Sequence, residues 1–429
     1  MSFDPREFLT GLFHTAVAAA DPKEVLPSYL DGVLKALPVH QEQGEVVVIG
    51  SGKAAASMAA ALERNWVGGQ LSGIVVTAYG HVEPCEHIEV IEAAHPVPDE
   101  NSEIAARRML ELVSGLSEND LVICLLSGGG SSLLALPAPG ITLADKQQVN
   151  QALLKSGADI HEINCVRKHL SAIKGGRLAA ACTPAKLMTF AISDVPGDNP
   201  SVIASGPTVV DYTSRQQALE ILEKYQIAVD ENVRQWLESP ESETPKVTYE
   251  SSSFQLVATA QQSLKAAAVK AENLGFNTLI LGDDLTGESQ QLAQSHAALI
   301  NQVLEQEQPV KPPCVLLSGG ETTVKVTGNG RGGRNTEYLL SLSIALQGKA
   351  NVYALAADTD GIDGMGDNAG AVLSPDSWLK ADKLGLNAAK MLKNNDSYSY
   401  FEMLDDLVVT GPTHTNVNDF RAILVLPEK

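Results

Sequence analysis

Short apolar runs rich in valine and isoleucine recur along this chain, separated by stretches whose apolar residues fall at helical spacing. That alternation predicts βα units around a parallel sheet. EVVVIG (45–50), GIVVTA (73–78), EVIEAA (89–94), LVICLLS (121–127) and LMTFAIS (187–193) read as strands of a first sheet, and residues 3–37 read as two helices. FQLVATA (254–260), TLILG (278–282), VLLSGG (315–320), VYALAAD (352–358) and LVVTG (407–411) read as strands of a second sheet. TTVKVTG (322–328) and RAILVLP (421–427) follow their predecessors too closely for a helical crossover, so both are expected to be antiparallel and the second sheet mixed. Between the two series, WLESPESETPKVTYESSSF (236–254) is polar, holds two prolines and keeps no period, which places a linker near 240–250. The expected fold class is α/β, with two Rossmann-like three-layer domains: 1–240 with a parallel sheet and 251–429 with a mixed one.

Composition changes this picture little. At 429 residues the chain exceeds the ~250–300 at which one core stops growing, in keeping with two domains. Its longest apolar runs (VVVI, LVICLL) are far short of the ~20 residues of a membrane span. The start MSFDPREFLTGLF shows neither a basic leader nor an apolar h-region, so a cytoplasmic protein is expected. The five cysteines are scattered without a CxxC pair, which disfavours a disulfide framework and a cysteine zinc site. Charge matters more. With 52 acidic against 31 basic side chains the net charge is −21, so a broad nucleic-acid surface is excluded and any anion must be gripped locally.

The candidate chemistry sits where strands end. LLSGGGSS (125–132) and LLSGGETT (316–323) repeat one phrase, once in each expected domain. Glycines at a carboxyl sheet edge let backbone N–H groups converge on an anion, so Ser127, Gly128, Gly129, Gly130, Ser131, Ser132, Ser318, Gly319, Gly320, Glu321 and Thr322 are candidate binding residues. A tight turn explains a single copy equally well; two copies in matching contexts favour binding. A third loop, GSGKAAASMAAALE (50–63), contributes Gly50, Ser51, Gly52 and Lys53. It satisfies G-x-G-x-x-G/A, but the next strand runs into Tyr79-Gly80-His81 without the carboxylate that holds a dinucleotide ribose. It is not a P-loop either, since Ala54 follows the lysine. A lysine at a helix N-terminus opposes the helix dipole, and an anion beside it would explain it.

Basic residues cluster in CVRKHLSAIKGGRLA (165–179), with Arg167, Lys168, His169, Lys174 and Arg177, and in GNGRGGRNTE (328–337), with Arg331 and Arg334 beside Asn335, a further candidate binding residue. A solvated helix face accounts for the first as well as binding does. In the second, glycines would let an arginine fork approach a carboxylate or phosphate. Asp194 and Asp198 leave one strand, and Asp358, Asp360, Asp363 and Asp367 another. Such carboxylates can hold Mg²⁺, although aspartate is also an ordinary turn former.

Together GSGKAA, LLSGGGSSLL, RKHLSAIKGGRL, SDVPGDNPSVIASGPT, GRGGRN, TDGIDG and TGPTHTNVND make the chain similar to the glycerate 2-kinase family, the class with a C-terminal MOFRL domain whose members are often labelled hydroxypyruvate reductases. The resemblance spans residues 50–419. It implies two α/β domains around a cleft, ATP and Mg²⁺, and phosphorylation of D-glycerate at the 2-hydroxyl; a homodimer is compatible with it. The family's lysine falls on Lys53 and its arginine on Arg334, both implied to be catalytic. Asp194 and Asp360 would hold Mg²⁺ or orient the hydroxyl. His414 stands where the family usually has glycine. Two other readings keep the same features: an NAD(P)H-dependent hydroxypyruvate reductase using GSGKAA, and a non-catalytic sugar-acid binding protein.

Overall fold

The computed structural model describes residues 3–36 and 44–427. They form two compact units, one running from Pro22 to Val257 and the other joining the residues up to Asp21 to those from Ala258 onward. In chain order the strands are β1 (Val46–Ser51), β2 (Ser72–Ala78), β3 (Ile88–Ala93), β4 (Leu121–Leu126), β5 (Lys186–Ile192), β6 (Ser252–Ala258), β7 (Asn277–Gly282), β8 (Gly287–Glu288), β9 (Cys314–Gly320), β10 (Thr322–Thr323), β11 (Val352–Asp358), β12 (Gly370–Leu373), β13 (Leu407–Val408) and β14 (Asp419–Val425).

The first unit is built on a parallel six-stranded sheet in the order β3-β2-β1-β4-β5-β6. β1 and β4 are buried along their whole length because helices cover both faces of a parallel sheet, which is why they read as unbroken apolar runs. The strand order reverses between β1 and β4, and ligands of open α/β sheets bind outside the carboxyl ends of strands at such a reversal. Here those ends carry Gly50–Lys53 and Ser127–Ser132.

The second unit has a mixed sheet, β13-β12-β11-β14-β9-β7, in which only β7 and β9 run parallel. The pairing of β14 sets the chemistry at one end. Its first residue, Asp419, lies opposite both Gly320 of β9 and Asp358 of β11.

Four details depart from the sequence reading. FQLVATA forms β6 and closes the first sheet, so the second sheet begins with β7. Of TTVKVTG only Thr322–Thr323 is strand, paired in parallel with β8, because the glycine run that follows folds onto the turn at 394–397. β12 is an additional strand, and β13 only a two-residue edge. The helix Pro5–Ala18, capped by Asp4, belongs to the second unit: Phe8, Leu9, Leu12, Phe13 and Ala16 form an apolar stripe buried with Leu264, Val315 and Phe420. Lys270 Nζ ties that helix down by donating to Gly11 O at 2.8 Å. Among the described residues no helix is long and apolar enough to cross a membrane.

Candidate active site

In the first unit two glycine loops lock into each other. Ser127 N donates to Ser51 O at 3.1 Å, Lys53 N to Gly128 O at 2.8 Å, and Ser51 Oγ to Gly130 O at 3.2 Å. Ala54 N donates to Ser127 Oγ at 2.9 Å, so this buried hydroxyl occupies one of the donors at the start of the helix Ala55–Arg64. Gly52 has φ of 138°, and a Cβ there would fall onto Ser127. A Cβ on Gly50 would meet Leu125 O. These glycines therefore serve the approach of β1's loop to β4's loop, and the space at Gly52 is filled by the protein itself rather than left open to a pyrophosphate. Gly129, at φ of 77°, brings the loop under two side chains: a Cβ there would lie 3.5 Å from Lys53 Cγ and 2.9 Å from His95 Cδ2. Lys53 thus lies over the glycine loop, with His95 beside it.

Beyond Gly130 the serines are also engaged. Ser132 Oγ donates to Gly129 O at 3.0 Å, while Ser131 Oγ meets Ser205 Oγ at 2.8 Å and accepts from Lys174 Nζ at 2.8 Å. Lys174 Nζ also donates to Ser131 O. Lys174 is buried, and burial, reinforced by the charges of Lys146 and Arg167, pushes its ammonium well below the usual lysine range. The backbone that holds its loop is strained: Ala204 and Ser205 sit at φ of 50° and 61°, and Gly175 N donates to Ser205 O at 3.1 Å. Asp194 lies two residues past the end of β5, on the same sheet edge.

In the second unit Arg334 opens the helix Arg334–Leu346 and meets three carboxylates. Nε donates to Asp419 Oδ1 at 2.8 Å, Nη1 to Glu321 Oε1 at 2.7 Å, and Nη2 to Asp358 Oδ2 at 2.7 Å. The sheet explains why: Asp358 and Asp419 are directly opposite neighbours on β11 and β14, and like charges there repel unless a cation bridges them. Burial works against the guanidinium's charge, yet the three carboxylates outweigh it and hold its pKa well above the ordinary arginine range. Among the described residues, three of the five guanidinium N–H groups are spent in this way.

Asn335 Nδ2 donates to Asp419 Oδ1 at 2.7 Å, and Asp363 accepts from Asn335 N and Thr336 N at 3.0 and 2.9 Å, which caps the same helix. Asp360 Oδ1 accepts from Ile362 N at 2.9 Å, shaping the turn after β11. The glycines of GNGRGGRN have another purpose than the one expected. Cβ atoms on Gly328, Gly330 and Gly332 would strike Asn394, Asp396 and Ser397, and one on Gly333 would strike Asp363. They allow close packing, and Arg331 lies apart with its guanidinium 4.0 Å from the Tyr398 ring centroid.

The second copy of the repeated phrase is used differently from the first. Ser318 is buried, Gly320 at φ of 110° presses on Leu285, and Thr322 Oγ1 accepts from Arg421 Nη2 at 3.2 Å and from Ser289 Oγ at 2.9 Å. Glu321 is its outward member and reaches Arg334. Among the described residues no three His, Cys, Asp or Glu side chains are grouped to hold a metal. Mg²⁺ fits these residues only as an ion carried largely by phosphate oxygens and water with one or two carboxylates.

His414 has φ of 60°, the left-handed region in which glycine is unstrained. His414→Gly is therefore expected to leave stability unchanged or to raise it by up to about 1 kcal/mol, the relief of strain being offset by glycine's greater freedom when unfolded. Thermal unfolding checks this; a clear loss would mean that imidazole contacts hold the loop.

Lys146, Ser205, His95 and Asp419 are site neighbours that the sequence reading did not single out as binding residues. Ser205 and Asp419 lie inside quoted motifs, whereas Lys146 and His95 carry no local signal.

Comparison with known proteins adds independent findings. A family model described as a domain of unknown function (DUF4147) matches residues 8–238, and the MOFRL family model matches residues 314–419. A D-glycerate 2-kinase of Thermotoga maritima is 44% identical over 87% of this chain and 89% of its own length. An Agrobacterium vitis protein, provisionally named a hydroxypyruvate reductase, is 50% identical over 98% of this chain and 94% of its own. The crystal structure of a glycerate kinase from Thermotoga maritima superposes with a TM-score of 0.88 at 40% identity, covering 98% of this chain and 99% of that one.

Proposed function

The chain belongs to the glycerate kinase family that ends in a MOFRL domain, and from that premise we propose that it transfers the γ-phosphoryl group of ATP to the 2-hydroxyl oxygen of D-glycerate, yielding 2-phosphoglycerate, ADP and a proton. The observation that carries this reading is the packing of Ser127 into the space at Gly52, with Lys53 lying over the adjoining loop at the reversal of the parallel sheet. A dinucleotide enzyme needs that space for the pyrophosphate. A phosphoryl-transfer enzyme needs positioned donors and positive charge.

Lys53 has the role of neutralising charge on the transferring phosphoryl group. Arg334 holds Glu321, Asp358 and Asp419 in register and has the role of meeting an anion of the substrate pair. Mg²⁺, when bound, supplies further neutralisation of phosphate charge; Asp194 in one unit and Asp360 in the other are each proposed as a carboxylate that could meet it. Their burial differs, Asp360 being 4% exposed and Asp194 partly exposed, so Asp360→Asn is the variant more apt to disturb its loop.

Chelation is expected to abolish turnover, and Asp194→Asn to raise the Mg²⁺ concentration needed for half-maximal rate, since an amide keeps the shape and drops the charge. The test is an assay of ADP formation with D-glycerate across a Mg²⁺ titration, run beside NADH oxidation with hydroxypyruvate. Mg²⁺-dependent ADP formation supports the kinase. NADH oxidation without ADP formation would return the assignment to the reductase.

A further inference from the structure

A second group of cations, in the unit that carries Lys53, has no carboxylate paired with it among the described residues. Lys146 lies on the helix Leu143–Ser156, Arg167 on the helix Ile160–His169, and Lys174 in the loop that follows. Hydrogen bonds link them in one path. Arg167 Nε donates to Asn150 Oδ1 at 2.6 Å, one helical turn beyond Lys146. Lys146 Nζ reaches Leu136 O at 3.4 Å, the carbonyl that also accepts from Ser171 Oγ at 3.1 Å. Ser171 Oγ accepts from Lys174 N at 3.3 Å, and Lys174 Nζ ends on Ser131, whose hydroxyl meets that of Ser205. Ser131 lies two residues beyond Gly129, on which the Lys53 side chain packs.

Among the described residues none of the three makes an ion pair, whereas their sequence neighbour Lys168 is paired with Asp211 at 3.2 Å. Glu103, the carboxylate whose field reaches Lys146, is itself paired with Arg107 at 2.7 Å. Burial and then the charge of Arg167 push the Lys146 ammonium down to about 7, and Lys174 is depressed by burial and by both neighbours, so the three cations lie close enough to repel one another. Collecting unpaired cations is costly in any protein. In a chain of net charge −21, with carboxylates in excess, the cluster keeps its full charge only beside an anion, and one that carries more than one charge would draw protons back onto Lys146 and Lys174.

We propose that Lys146, Arg167 and Lys174, with the Ser131 and Ser205 hydroxyls, bind the polyphosphate group of a nucleoside triphosphate. The proposal rests on the kinase reading above and assigns the nucleotide to the unit from Pro22 to Val257. A monocarboxylate such as glycerate brings one charge to three cations; a triphosphate brings enough to balance them. Ammonium groups suit phosphate as point charges, and the adjoining backbone at Gly128 and Gly129 adds N–H donors.

Titration calorimetry on the full chain tests this, with ATP, inorganic tripolyphosphate and D-glycerate as separate probes. Lys146→Gln and Arg167→Gln are each expected to weaken ATP and tripolyphosphate by about ten- to a hundredfold, with D-glycerate unaffected and melting temperatures near that of the unaltered chain. Lys174→Gln should lose more, but its bonds to Ser131 also hold the loop, so the first two variants decide. Unchanged ATP and tripolyphosphate affinities in both, in a protein that still phosphorylates glycerate, overturn the site and leave the kinase standing. Loss of D-glycerate affinity with nucleotide affinity intact makes the cluster a carboxylate site and likewise overturns the proposal. An unaltered chain that neither binds nor consumes ATP overturns the site and the kinase reading together.

Discussion

Lys53→Ala should fold normally and lose about a hundred- to a thousandfold in kcat, the loss seen when one positioned transition-state donor is removed. Both halves of that expectation follow from what Lys53 touches. Its backbone N–H to Gly128 O and its carbonyl's bond from Thr77 Oγ1 at 3.2 Å survive truncation, so the loops stay locked. The stem packs over Gly129, and a cation beside the start of a helix opposes the dipole, so removing it does not weaken the helix Ala55–Arg64 through the dipole. What disappears is charge at the sheet reversal. Because that charge is asked to act on the transferring group, kcat should fall much more than KM rises. A folded Lys53→Ala variant with near-normal kcat would remove the catalytic role from this lysine.

Arg334→Lys is expected to lower kcat/KM by an amount equivalent to about 2–4 kcal/mol and to lower stability as well. Lysine keeps the charge but has one nitrogen, and it cannot sit on Asp419, Glu321 and Asp358 together. The opposed pair Asp358 and Asp419 then loses its bridge, and β14 loses the contact that holds its first residue against β11. Glu321 is the partner least affected, being 52% exposed and screened by water. Removing one of the repelling carboxylates should make the same substitution less damaging, so Arg334→Lys should cost less stability in an Asp358→Asn background than in the unaltered chain. Equal costs in the two backgrounds would show that Arg334 does not act as the bridge.

How far the sequence revealed this arrangement depends on whether a feature is local. β1, β2, β4 and β5 were legible because strands buried on both faces need continuous apolar runs, and the loops at their ends because glycine marks backbone that must come close. FQLVATA joins the first sheet and not the second because its apolar content suits either and only the pairing to β5 decides. TTVKVTG alternates like a strand yet gives way to the packing of the glycine run against Asn394–Ser397. The apolar stripe of the first helix announces a helix without saying which core it joins.

The site divides in the same way. Lys53 and Arg334 stand in glycine-rich motifs and could be picked out. The partners of Arg334 could not be assembled, since Asp358 and Asp419 are brought opposite each other only by the register of β14 on β11. Lys146 reaches Lys174 through the carbonyl of Leu136 and the hydroxyl of Ser171, a path with no sequence periodicity. The repeated LLSGG phrase misleads in one respect: its first copy lies between two parallel neighbours and its second between a parallel and an antiparallel one, so equal sequences end in unequal surroundings.

Phosphorylation at the 2-hydroxyl is tested most directly by incubating the protein with D-glycerate, ATP and Mg²⁺ and following the phosphorus and proton NMR spectra of the mixture. 2-Phosphoglycerate and ADP are expected to appear together in equal amounts, with phosphorus coupled to the proton on carbon 2. A product coupled to the carbon 3 protons, or glycerate left unchanged while the same preparation oxidises NADH with hydroxypyruvate, would contradict it.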